Sequence, residues 1–219
     1  MTPTQASSVY DRIRHDILTG HLKPGERLRL KDLIEVYETG NSPLREALNR
    51  LSSNGLVVRE ENRGFSVPHA SLSELEELIR ARCWLEEIAL RESIANGDEE
   101  WEERLVLAFH WLRQAWESRK LDRKGDQSDW ANRHKSFHLT MLSACNSQIL
   151  LEYCDQLQAR TYRYRNLAEV VEYRDLHELD EHAALLDAVL ERNVDKALAL
   201  LHQHFKVTLD ILKETGRFE

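Results

Sequence analysis

Apolar positions recur with two different periods along the chain. Val9, Ile13 and Ile17 come every fourth residue, which predicts an amphipathic first helix, and Gly20 stands just past its end. Residues 30–37 carry a short second helix after the turn Lys23-Pro24-Gly25-Glu26. Gly40 breaks the chain, and a third helix follows, with Ser42 expected as its N-cap and Pro43 at its first position. Leu44, Leu48 and Leu51 share one face of that helix, and Arg45 and Asn49 project from another. Gly55 ends it. The period then shortens: residues 56–60 and 65–67 are β-prone runs on either side of Glu61-Asn62-Arg63-Gly64, a hairpin pattern.

Beyond Pro68 there is no proline, and only Gly97, Gly125 and Gly216 remain of eight glycines, so long helices are expected. Ser71-Leu72-Ser73-Glu74 has capping-box spacing and opens a helix ending near Asn96-Gly97. Asp98 starts the next, which runs to about residue 120. Later helices are expected from Ser128 to the break at Asn146-Ser147, over 148–170 and over 176–192. The last begins with Asp195 as its cap and has Leu198, Leu201, Phe205, Leu209 and Leu212 on its apolar face. The predicted fold is mostly α, with two domains. Residues 1–70 form three helices and a hairpin, the order of a winged helix-turn-helix, and residues 71–219 form an antiparallel bundle of about six helices.

Charge divides at the same place. Residues 1–70 hold ten Lys and Arg against nine Asp and Glu, whereas the rest carries most of the net charge of −8. An acidic total does not bar DNA binding, because the field at the contact surface matters; contact with nucleic acid is expected from the first 70 residues. No apolar stretch approaches the ~20 residues of a membrane span, so no membrane partner is expected. Three cysteines without a CxxC pair, and no basic-then-apolar leader, favour a reducing cytoplasm.

The N-terminal motifs are specific enough to name a family. Pro24-Gly25-Glu26-Arg27-Leu28, then Ser42-Pro43-Leu44-Arg45-Glu46-Ala47-Leu48, then Arg63-Gly64 before Phe65 resemble the DNA-binding domain of the GntR family of bacterial transcription regulators, over residues 8–70. The resemblance implies operator contacts through Lys31, Asn41, Ser42, Arg45, Arg63 and Gly64. Asn41 departs from the arginine usual there; asparagine suits adenine or a phosphate, where arginine forks onto guanine.

Histidines are the candidate chemistry of the second domain. His134 and His138 are spaced i, i+4, so both rings can reach one ion from one helix face. His182 stands on one of two consecutive helices expected to pack antiparallel. Either His202 or His204, on opposite sides of the second, can face it. Imidazoles suit zinc, nickel and related divalent ions. Phe137-His138-Leu139, Asn146, Glu181-His182, Asp195-Lys196-Ala197 and His204 resemble the FadR-C-terminal-domain (FCD) subgroup, in whose metal-binding members His138, His182 and His204 would be ligands. The usual fourth ligand is an aspartate where this chain has His134, which becomes the candidate, with Asp129 a weaker substitute.

Arg82-Cys83-Trp84-Leu85-Glu86 resembles the subgroup's Arg-x-x-Leu-Glu helix, which implies that Arg82 holds an effector carboxylate. The alternative for Arg82 is a surface pair with Glu86 or Glu87. Asn146 and Arg163 are further effector candidates. The segment Arg133-His134-x-x-Phe137-His138 is similar to a glutarate-responsive, carbon-starvation branch of the family. Together these features imply a homodimeric, cytoplasmic transcription regulator, expected to act as a repressor, and not an enzyme. Its operator binding would answer to a small dicarboxylate or hydroxy acid bound with a divalent metal, zinc first and nickel second. Two alternatives are a metal-dependent hydrolase and a structural helical dimer without a metal. The hydrolase is disfavoured because the HxxxH lacks the Glu of an HExxH enzyme and no nucleophile elbow is present.

Overall fold

The computed structural model describes residues 5–60, 64–121, 128–168 and 178–218. The chain divides into two compact units. The first runs to Leu75 and takes in two returning stretches, one from Ala159 and one from Thr215. The second runs from Glu76 to Gln158 and takes in the last two helices.

In the first unit the order is α1 (Gln5–Thr19), β1 (Arg27–Leu28), α2 (Leu30–Val36), α3 (Asn41–Ser53), β2 (Val58–Glu60) and β3 (Gly64–Ser66). The apolar stripes do what their spacing demands: Ile13, Ile17, Leu44, Leu48 and Leu51 are fully buried in one core with Leu56 and Phe65, at ~1.5–3 kcal/mol for each such side chain. The three strands form an antiparallel sheet in the order β1-β3-β2, and Phe65 faces Leu28 on one side and Arg59 on the other. β1 is not foreseen by pattern, since two residues have no period. It forms because Gly25, at φ +77°, turns the chain so that Gly25 N donates to Val67 O and Val67 N to Glu26 O.

The later part of the helix over residues 148–167 packs within this unit. Tyr162 lies against the core, and Asn166 Nδ2 donates to Leu18 O at 2.6 Å. Arg160 reaches Glu74 at 2.6 Å, and the Tyr164 hydroxyl donates to the same carboxylate while accepting from Ser71 N.

The second unit is built from α4 (Leu72–Asn96) beyond its first turn, α5 (Glu99–Leu121), α6 (Ser128–Leu142), the first half of α7 (Gln148–Leu167), α8 (Glu178–Leu190) and α9 (Val194–Glu214). α5 packs on α6 and α8, and α8 on α9. Side-chain caps set the starts: Ser71 Oγ accepts from Glu74 N, Asp98 Oδ1 from Trp101 N and Ser147 Oγ from Leu150 N. The last helix corrects the expected cap. Asn193 Oδ1 accepts from Lys196 N at 3.1 Å, and Asp195 lies in the first turn, where it complements the helix dipole. α8 stops at Leu190, short of the expected 192, because Arg192 takes φ +56°. Trp101, Trp116 and Trp130 are buried, whereas Trp84 and Trp111 are exposed. Among the described residues, no helix is long and apolar enough to cross a membrane.

Candidate metal centre and nucleic-acid interface

α3 presents two faces. Leu44, Ala47, Leu48 and Leu51 are buried, while Asn41, Ser42, Arg45 and Asn49 are exposed. The helix starts two residues earlier than its sequence suggests. Gly40 is the N-cap, in extended conformation, and its carbonyl accepts from Leu44 N at 3.2 Å. Ser42 is therefore not the cap, and Pro43 is the third helical residue, still within the turn that needs no intrahelical N–H. This frees the Ser42 hydroxyl from a structural duty. Asn41 and Arg45 are joined, with Arg45 Nε donating to Asn41 Oδ1 at 2.8 Å. Their i, i+4 spacing was the signal for that pair, but the sequence treats the two residues separately. Lys31 is exposed on the first turn of α2, and Gly64, at φ +91°, is exposed at the start of β3. Arg63 lies outside the described residues.

In the second unit four imidazoles converge. His134 and His138 come from α6, His182 from α8 and His204 from α9; all four are buried, and one ring nitrogen from each lies within 4.8 Å of the others. His138 Nε2 and His182 Nε2 are 3.1 Å apart. The spacing ambiguity between His202 and His204 is resolved: His202 is exposed beside Glu87 at 3.3 Å, and His204 points inward. Asp129 is exposed and pairs with Arg133, away from the cluster. Trp130 stacks on His134 with ring centroids 5.0 Å apart.

Glu181 is a partner the sequence reasoning did not single out. Its Oε2 lies 2.9 Å from His204 Nδ1. A carboxylate there favours the Nδ1–H tautomer and turns the Nε2 lone pair toward the other rings. The signal was present: Glu181 precedes His182 on a helix that faces His204. Four neutral imidazoles make a donor set suited to a borderline divalent cation, and a tetrahedral shell at ~2.05 Å needs its nitrogens ~3.3 Å apart. The present separations bracket that value, so the residues fit such an ion with small side-chain adjustments.

Arg82 is buried, close to the cluster. Its Nε donates to Glu86 Oε1 at 2.7 Å, and its guanidinium lies 4.2 Å from the centroid of Phe205, the neighbour of His204. The pair with Glu86 that the sequence allowed does form, but inside the bundle and not on the surface. Burial raises the Glu86 carboxyl above its usual range, and Arg82 opposes the rise. The other two effector candidates have surroundings of their own. Arg163 belongs to the first unit, where it donates to Pro68 O; a buried guanidinium needs acceptors, and this carbonyl engages it. Asn146 is exposed at φ +56°, a left-handed position in the turn before α7 that asparagine tolerates better than most residues.

A buried helical face behind an exposed recognition helix, a wing-type sheet and a separate helical bundle define the class: a DNA-binding transcription regulator. Residues 5–67 match the bacterial regulatory proteins of the gntR family, and residues 77–207 match the FCD domain. The chain belongs to the gntR family, in its FCD-bearing group. It is 35% identical to the HTH-type transcriptional regulator BphR of Paraburkholderia xenovorans, over 95% of this chain and 85% of that protein. It is 31% identical to the HTH-type transcriptional repressor GlaR of Escherichia coli, over 94% of each. The solved structure of Escherichia coli McbR/YncC superposes with a TM-score of 0.80 at 27% identity, covering 97% of this chain and 99% of that one. These are transcription regulators and not enzymes, which removes the hydrolase alternative.

Proposed function

We infer that this regulator represses transcription and that a small carboxylate, bound with a divalent metal in the helical unit, controls its grip on the operator. The carrying observation is the convergence of four buried imidazoles from three helices, His134, His138, His182 and His204. Those residues would hold zinc, with nickel as second choice. When bound, the metal supplies a positive, ligand-hungry centre for a carboxylate oxygen. The rest falls to the chain's own groups. Glu181 orients His204, and Arg82 stands by through Phe205 with a guanidinium that can hold the acid's carboxylate.

DNA contact is assigned to Asn41, Ser42 and Arg45 on α3, Lys31 on α2, and Arg63 with Gly64 at the wing. The exposed Arg45 and Asn41 form a joined donor pair at the start of the recognition helix. Half-sites a helical turn apart call for two such helices, so the working form is a two-fold homodimer on a palindrome. The exposed, one-turn-apart Trp84 and Ile88 of α4 support such a partner surface. A cytoplasmic location accords with free cysteines and an operator target. The repressor GlaR supports the sign of control.

The acid must favour one placement of the DNA-reading units over another, since a ligand with equal affinity for both shifts nothing. Fluorescence anisotropy of a labelled operator tests this on full-length, zinc-loaded protein. Dicarboxylates and hydroxy acids should weaken operator binding, and Arg82→Ala should bind operator normally but ignore them. Release by the acids in the Arg82→Ala variant as in the parent would reject the assignment.

A further inference from the structure

We propose that His15, Asp16 and His21 form a second metal site, on the surface of the DNA-binding unit, that takes a divalent transition ion such as zinc. It shares no residue with the four-imidazole cluster and does not depend on it.

His15 and Asp16 stand on the last turn of α1, and His21 follows just past its end. Gly20, at φ +79°, closes the helix, and Leu22 N donates to Asp16 O at 3.0 Å, so the chain folds back on that turn. One ligand atom from each of the three side chains thereby lies within 4.8 Å of the others. His21 Nδ1 is 3.5 Å from Asp16 Oδ1. That is close to the ~3.3 Å between two donors on one tetrahedral zinc. Neighbouring groups hold this arrangement. The buried Tyr37 donates its hydroxyl to Asp16 Oδ2, which leaves Oδ1 to face His21. Tyr37 is itself fixed by Arg12, whose guanidinium donates to Tyr37 O at 2.8 Å. Thr19 Oγ1 lies 2.9 Å from His21 Nδ1 and steadies that ring. Outer partners of this kind orient metal ligands.

The donor set narrows the ion. Two imidazoles and a carboxylate suit zinc, nickel or copper(II), whereas magnesium and calcium take oxygen ligands. The end of α1 also favours a cation, because the last carbonyls of a helix form its negative pole. A simple ion pair between a protonated His21 and Asp16 leaves His15 idle, with its ring centroid 6.4 Å from that of His21. A metal ion uses all three side chains. His15 and His21 are exposed, and three ligands leave coordination positions open to water. The ion therefore exchanges with solvent and is lost on desalting, unlike one enclosed by four imidazoles. While bound, it pins the turn at His21 to the end of α1, ahead of β1.

The test is equilibrium dialysis of full-length, tag-free protein against micromolar zinc, with the metal counted per chain by mass spectrometry. The His15→Ala/His21→Ala variant changes only exposed positions and should hold one zinc per chain fewer than the parent. Because the difference is read, any ion in the bundle cancels. Asp16→Asn leaves Tyr37 an acceptor and removes the charge. It should weaken the extra equivalent at least as much as loss of an outer partner does, about tenfold or more. Excess magnesium should not displace that equivalent. Equal zinc counts in the parent and the double variant overturn the site. So does an Asp16→Asn protein that binds the extra zinc as tightly as the parent, or displacement of that zinc by magnesium.

Discussion

Replacing Glu181 by Gln tests its contact with His204. Glu181 Oε2 sits 2.9 Å from His204 Nδ1, and its side chain is about a third exposed. Gln keeps an acceptor of the same shape, so the apoprotein should lose less than ~1 kcal/mol, a fall of under ~4 °C in Tm for a chain of this size. What it removes is the negative charge that makes the His204 ring a better donor and holds the Nδ1–H tautomer. Second-layer partners of this kind typically contribute 10–100-fold in metal affinity, which is about 1.4–2.7 kcal/mol. Competition with a chromophoric chelator reads zinc affinity directly, with the Tm of chelator-treated protein as the control. A weakening within that range at nearly unchanged apoprotein stability is expected. Zinc affinity within twofold of the parent would show that His204 does not present Nε2 to an ion, and the proposed centre would lose one of its four ligands.

Arg45→Ala should weaken operator binding by ~10–100-fold, the span of one good base contact, with no change in Tm because the side chain is exposed; anisotropy and a thermal melt check the two halves. Leu48→Ala empties a fully buried position under the recognition helix and should cost ~2–5 kcal/mol, read from urea unfolding followed by circular dichroism. The Cys154 thiol, pushed up to about 12 from the ordinary ~8.5, should stay protonated and resist iodoacetamide at pH 9 in the folded protein, then react once denatured. The sign for stability follows. Its contribution is whole below the unfolded thiol's pKa and is lost as pH rises toward 12, because only the unfolded chain releases the proton in that window.

Most of the architecture was legible because burial follows period. The Val9-Ile13-Ile17 stripe, the Leu44-Leu48-Leu51 face and the caps at Ser71 and Asp98 lie where their spacing puts them. Local ends were less legible. Several residues near a helix start can serve as cap, and tertiary context chose Gly40 over Ser42 and Asn193 over Asp195. β1 had too few residues to show a pattern and exists through its bonds to β3. For the site, i, i+4 spacing put His134 and His138 on one face, but only the packing of α9 on α8 decides between His202 and His204. Arg163 shows the limit of that logic. A basic, tyrosine-rich helix looks like an anion site, yet its guanidinium is engaged by a backbone carbonyl in the first unit. The second Glu86 carboxylate oxygen, buried with no hydrogen-bond partner among the described residues, was invisible to sequence, because satisfaction of a polar atom is a property of three-dimensional neighbours.

X-ray absorption at the metal edge of protein purified without a histidine tag tests the central claim most directly. One zinc per chain is expected, with a first shell dominated by imidazole nitrogen at ~2.0–2.1 Å, collapsing in the His138→Ala/His182→Ala double variant. A protein that takes up no divalent ion under zinc-replete conditions, or one whose metal keeps its full nitrogen shell in that variant, would contradict the account.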